Sequence, residues 1–176
     1  MLTHRLATLD DLPALRVLMA AAISELQATF LNDAQIVASR SVMGLDTRLV
    51  SDGTYFLVEE EGVLAGCGGW SRRATLYGGD HSTSLRDDRL LDPASEPARL
   101  RAMYTHPNFA RRGVGRLVVG LCEAAAREAG FTRMELMGTL AGEPLYVRCG
   151  YAPLERMESA PVDGVSVPLV RMGRGL

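Results

Sequence analysis

Arg111, Arg112, Gly113, Val114, Gly115 and Arg116 set three guanidinium groups and two glycines within six residues. That combination suits the binding of a small phosphorylated ligand. The first amides of a helix have no internal partners, and the helix dipole places partial positive charge there. Gly113 and Gly115 let the backbone curl around an anion without side-chain clashes, and forked arginine donors match phosphate oxygens. For two glycines alone, a plain turn before a surface helix is the competing reading. No Lys-Ser or Lys-Thr follows the glycines, so the segment is not a P-loop. Their spacing is not the dinucleotide fingerprint either.

The rest of the chain limits what such a cradle serves. A formal net charge of -2 and a pI near 5.9 give no footprint for nucleic acid. Cys67, Cys122 and Cys149 lack metal-site spacing, so no metal is expected. Their odd number argues against a disulfide framework and for a reducing compartment, the cytoplasm. No long apolar run follows Met1 or occurs elsewhere, so neither a secretory signal nor a membrane association is expected. With 176 residues, one domain over 1–176 is the expectation.

Positioning the cradle requires a strand before it and a helix after it, and the patterns supply both. Residues 99–105 alternate as a strand, closed by His106-Pro107. Val114, Leu117, Val118, Leu121, Ala125 and Ala129 make one apolar stripe at helical spacing, with Glu123 and Arg127 as a solvent-facing i,i+4 pair and Gly130 as the stop. Upstream, residues 2–7 read as a strand. An amphipathic helix follows to about Gln27, with Pro13 in its first turn, and a second helix over 33–43 is capped by Asn32 or Asp33. Residues 55–59 and 63–75 form a hairpin around Glu61-Gly62, with glycines that imply a bulge or a close backbone neighbour. Residues 78–97 break the pattern and read as a lid, a binding loop or a disordered stretch. Downstream come a strand over 132–137, a short helix over 143–149 and strands over 151–157 and 165–171.

The run from Tyr104 to Arg116 resembles the acetyl-coenzyme A signature of GNAT acetyltransferases. Leu145-Tyr146-Val147-Arg148-Cys149-Gly150-Tyr151 resembles the same family's second marker, and the order of elements agrees. Ala110 departs from the usual Gln or Arg at the first signature position. Thr139 stands where many members carry Asn. The resemblance implies an α/β (α+β) GNAT fold: a central mixed, mostly antiparallel sheet of six to seven strands, flanked by about four helices and splayed at the cofactor site.

It also implies transfer of the acetyl group of acetyl-CoA, as co-substrate, to a primary amine of a small molecule or peptide. The amine attacks directly within a ternary complex. Met103, Tyr104, Thr105, Arg111, Arg112, Gly113, Val114, Gly115, Arg116 and Thr139 would hold the cofactor. Tyr146 would protonate the departing thiolate, since a phenol near 10 keeps its proton at neutral pH. Glu25, Trp70, Arg72, Tyr77, Asp80 and His81 would lie toward the acceptor. Arg72 and Arg73 hint at a carboxylate on that acceptor, with a solvated strand end as the equal alternative. No general base is assigned among Glu25, Asp80, His81 and His106. Dimerisation through the last strands follows from the family alone. A catalytically inactive coenzyme A-binding sensor, or an enzyme for longer acyl chains, shares the cradle.

Overall fold

The computed structural model describes residues 1–176. Strand β1 (Leu2–Leu6) leads through a short turn into helix α1 (Leu12–Glu25), which buries Leu15, Leu18, Met19, Ala22 and Ile23. Helix α2 (Asp33–Ser39) begins at a reciprocal cap: Gln35 N donates to Asn32 Oδ1 at 2.8 Å and Asn32 N to Gln35 Oε1 at 3.1 Å. It ends four residues before the expected Met43. Helix α3 (Thr47–Ser51) was not expected from the sequence; Asp46 Oδ1 caps it by accepting from Arg48 N at 3.0 Å.

Strands β2 (Tyr55–Glu60), β3 (Val63–Ser71) and β4 (Ala98–Thr105) extend β1 into an antiparallel meander. Helix α4 (Val114–Glu128) crosses over to β5 (Arg133–Thr139), which is parallel to β4. Helix α5 (Glu143–Arg148), β6 (Ala152–Glu158) and β7 (Pro168–Gly175) complete one seven-stranded sheet of order β1-β2-β3-β4-β5-β7-β6. Five helices thus flank the sheet where about four were expected.

Two apolar cores divide the sheet's faces. Leu57 packs with α1 and α2, whereas its neighbour Val58 packs with α4, as alternation along a strand requires. In β4 that alternation is reset. Cys67 faces Tyr104 and Gly69 faces Arg101, so Ala102 and Met103 together oppose Gly68 in a β-bulge. Ala102 takes a left-handed φ of 49°, and Tyr55 Oη donates to its carbonyl at 2.7 Å. As a result Leu100 lies in the α4 core while Tyr104 lies in the α1 core. An unbroken strand would put both on one face.

Beyond the bulge, β4 and β5 part. They pair only at Ala98–Met134 and Arg99–Glu135, leaving the β5-facing edge of β4 from Leu100 to Thr105 without a strand beside it. The glycines of β3 have their own cause. A Cβ at Gly66 or Gly68 would run into Val114 and Val118, so α4 sits directly on the strand's backbone.

Residues 78–97 are not a free lid. Asp46 accepts from Arg86 Nη2 at 3.2 Å and from Arg101 Nη2 at 2.9 Å, and Arg101 also donates to the Gly78 carbonyl at 2.8 Å. Arg73 clamps Asp52 through two hydrogen bonds of 2.7 and 3.0 Å, and Leu91 is buried in the α4 core. No helix is long and apolar enough to cross a membrane.

Candidate active site

Where β4 and β5 separate, a cleft of about 540 Å³ passes through the sheet. On one face its wall is the start of α4 together with α5. On the other it is α1, residues 42–44 and residues 76–78. The cationic side chains of Arg111, Arg116 and Arg148 belong to the α4 side.

The backbone entering α4 is built to hold an anion. Arg111 and Gly113 take left-handed φ values of 62° and 87° on either side of Arg112. Such a reversal turns successive N–H groups toward one point. The six amides from Arg111 to Arg116 donate to no protein acceptor; the first helical bond in this segment is from Leu117 N to the Gly113 carbonyl, at 3.0 Å. Gly113 is needed for its φ, since a Cβ there would meet nothing within 4 Å. Gly115 has a different reason from the one its spacing suggested: a Cβ would lie 2.6 Å from Leu145 Cδ2, so it lets α5 close against α4. Arg112 is committed elsewhere. It pairs with Glu60 at 2.6 Å, stacks over Phe109 and does not line the cleft. Met103, Tyr104, Thr105, Arg111, Gly113, Val114, Gly115, Arg116 and Thr139 all line it, as does Ala110.

Tyr146 stands on the cleft wall at the middle of α5. Its ring meets Tyr151 edge to face, with centroids 6.2 Å apart, and the hydroxyl has no protein partner. Burial pushes its phenol well above 10, so the group remains protonated across the neutral range. The turn holding α5 is tightly tied. Gly142 N donates to Thr139 Oγ1 at 3.2 Å, and Tyr151 Oη donates to Glu123 Oε1 at 3.1 Å. Arg174 approaches the same carboxylate at 3.4 Å and donates to the Cys149 carbonyl. Glu123, expected on the solvent face, is therefore buried and organises the end of α5.

The residues placed toward the acceptor by resemblance do not assemble together. Tyr77 lines the cleft. Trp70 is buried in the α4 core edge to face with Phe131, and Arg72 stacks on its ring at 5.1 Å. Asp80 accepts from Thr47 N at 3.0 Å at the start of α3. His81 contacts the Arg40 carbonyl through Nε2, and Glu25 is exposed on α1. None of these five lines the cleft, and neither does His106, whose Nδ1 accepts from Asn108 N at 3.1 Å. The lining contains no carboxylate and no imidazole. Sequence reasoning missed Gln27, Phe30, Met43, Leu145, Arg148 and Cys149, which do line it. The expected helix ended at Gln27, and that position at the foot of an apolar stripe was the only available signal.

The cysteines offer a test of this geometry. Cys67 and Cys122 are wholly buried with thiols pushed up, that of Cys67 to about 12, whereas Cys149 is half-buried on the cleft wall. Alkylation of the native protein at neutral pH is expected to modify Cys149 slowly and to spare the other two. Peptide mass mapping reads this, and equal modification of Cys67 would contradict the packing described here.

These features define a mixed seven-stranded fold whose helix α4 presents unpartnered amides beside a through-sheet cleft. The family model described as Acetyltransferase (GNAT) family matches residues 20–151, and the chain belongs to that family. Among solved structures it is similar to a GCN5-related N-acetyltransferase from Rhodopseudomonas palustris, with a TM-score of 0.70 and 16% identity over 99% of this chain and 95% of that one. PaiA N-acetyltransferase from Thermoplasma acidophilum, in complex with coenzyme A, gives 0.68 and 13% over 100% and 99%. YncA, a putative acetyltransferase from Salmonella typhimurium with its cofactor acetyl-CoA, gives 0.65 and 19% over 99% and 93%. No curated protein matches the sequence.

Proposed function

We propose that the protein transfers the acetyl group of acetyl-CoA to a primary amine within a ternary complex. The observation that carries this reading is the row of six unpartnered amides at the head of α4, opening on the gap between β4 and β5. That row suits a diphosphate, with Arg111, Arg116 and Arg148 beside it on the same wall. The pantetheine arm then lies along the unpaired edge of β4. A free amide of that edge polarises the thioester carbonyl, and oxyanion donors are commonly a large part of acyl-transfer catalysis.

The amine attacks the carbonyl carbon and the C–S bond breaks. The sulfur leaves as thiolate and takes the Tyr146 proton, the attacking nitrogen sheds its remaining extra proton to solvent, and the phenolate is reprotonated from solvent, so no protein nucleophile is required. With no carboxylate or imidazole lining the cleft, the amine gives up its proton to water before or during attack. The pH dependence follows. An alkylammonium titrates near 10, so kcat/KM at low amine is expected to rise tenfold per pH unit toward that value. Because burial raises the Tyr146 phenol, loss of the acid does not curtail the rise below it.

The test is thiol release from acetyl-CoA in the presence of an amine library, together with thermal shift by coenzyme A. At a hundred times its dissociation constant the cofactor adds about 2.7 kcal/mol to stability. It is also expected to slow alkylation of Cys149. Absence of both shift and thiol release would overturn the proposal.

A further inference from the structure

The two ends of the cleft differ in chemistry. The α4 end carries the free amides together with Arg111, Arg116 and Arg148. The other end is walled by Leu26, Phe30, Met43, Leu76 and Tyr77, and each of these keeps part of its surface open. Phe30 is the most open of them, at 46% exposed. Apolar surface gathered at one end of a cleft, rather than scattered singly, is surface that a ligand covers. The polar groups at this end are spent or enclosed. Gly44 N donates to Tyr104 Oη at 2.7 Å. The Arg101 guanidinium is neutralised by Asp46 at 2.9 Å and also donates to the Gly78 carbonyl at 2.8 Å. Gln27 is enclosed, at 2% exposed. Neither a carboxylate nor an unpaired cation stands in this part of the lining.

In the proposed complex the diphosphate sits at the head of α4 and the thioester in the gap between β4 and β5. The amine then reaches the carbonyl from the opposite face, along the apolar wall. The reacting nitrogen sheds its charge before or during attack, but any other charge on the acceptor stays. A second ammonium would meet no carboxylate there, and a carboxylate would meet no free cation. Burying either one unpaired is strongly unfavourable. Arg72 and Arg73, which had suggested a carboxylate on the acceptor, lie outside the cleft. We infer that the acceptor is a primary amine on an uncharged apolar body, an alkyl or arylalkyl amine, which packs against Leu26, Phe30, Met43, Leu76 and Tyr77. This rests on the acetyl-transfer reading of the same cleft.

The test measures thiol release from acetyl-CoA with unbranched alkylamines from propylamine to hexylamine, and with two charged relatives of the last, 1,6-diaminohexane and 6-aminohexanoate. Each methylene that enters the apolar end is expected to raise kcat/KM about fourfold. The two charged relatives should fall at least about a hundredfold below hexylamine, since their far ends enter the same wall unpaired. Setting a carboxylate into that wall should move the preference. Met43→Glu, or Phe30→Glu at the more open position, is expected to raise the ratio of diaminohexane to hexylamine turnover about tenfold or more. The thermal shift by coenzyme A reports that each variant is folded. A flat alkylamine series overturns the inference and leaves acetyl transfer standing. So does a charged relative that matches or exceeds hexylamine, or a ratio that neither glutamate moves. Faster transfer to propylamine from hexanoyl-CoA than from acetyl-CoA also overturns it, by giving the apolar wall to the acyl chain. If no amine is acetylated while coenzyme A still raises the melting temperature, the acetyl-transfer reading falls and the inference with it.

Discussion

Tyr146→Phe is expected to lower kcat by about 10²- to 10⁴-fold, the range typical of losing a positioned general acid. Cofactor affinity and melting temperature should hold. The hydroxyl makes no bond to the protein, so its loss breaks nothing in the fold, and the ring contact with Tyr151 survives in phenylalanine. In the proposed complex the phosphate end of the cofactor lies against α4 and not against this side chain. Pre-steady-state rates separate the acid step from binding, and coenzyme A titration by calorimetry checks the binding arm. A variant with full kcat would remove Tyr146 from the mechanism. Leaving-group dependence sharpens the test: a thioester of a more acidic thiol needs less proton assistance, so it should lose less on the same substitution.

Asp46→Ala is the substitution with the largest expected cost to the fold. Asp46 and Arg101 are 1% and 2% exposed at the side chain and meet at 2.9 Å, with Arg86 as a second partner. Burial already lowers the Arg101 pKa, opposed by Asp46. Removing the carboxylate strands a buried cation, which costs about 3–5 kcal/mol. At about 2–4 °C per kcal/mol for a chain of this size, the melting temperature should fall by roughly 10 °C. The double variant Asp46→Ala with Arg101→Met removes both charges and should recover much of that loss. If the single variant melts as the wild type does, or the double variant is no better than the single, the pair is not the anchor described here. Arg101 also holds the Gly78 carbonyl at the cleft rim. The single variant should therefore raise KM for the amine more than it changes cofactor binding.

What local chemistry dictates was legible in the sequence. The apolar stripe of α4, the glycine-rich entry and the helix around Tyr146 each depend on residues within a few positions of one another. Nearest-neighbour sterics and the 3.6-residue period act at that range. The left-handed Gly113 and the anion cradle follow from the same short segment.

Tertiary structure decided the rest. Asp46 finds Arg101 across 55 positions of sequence, and Gln27 joins the cleft only because α1 packs over β4. Arg112, indistinguishable from Arg111 by spacing, is drawn to Glu60 on a neighbouring strand. Gly115 answers to Leu145, thirty positions on. The bulge at Ala102 and Met103 reverses which face Tyr104 meets, a consequence of register that no period within β4 announces. Periodicity tells which side chains share a face. Which surface that face meets, and which charge finds which partner, is fixed only when distant segments compete for the same buried volume.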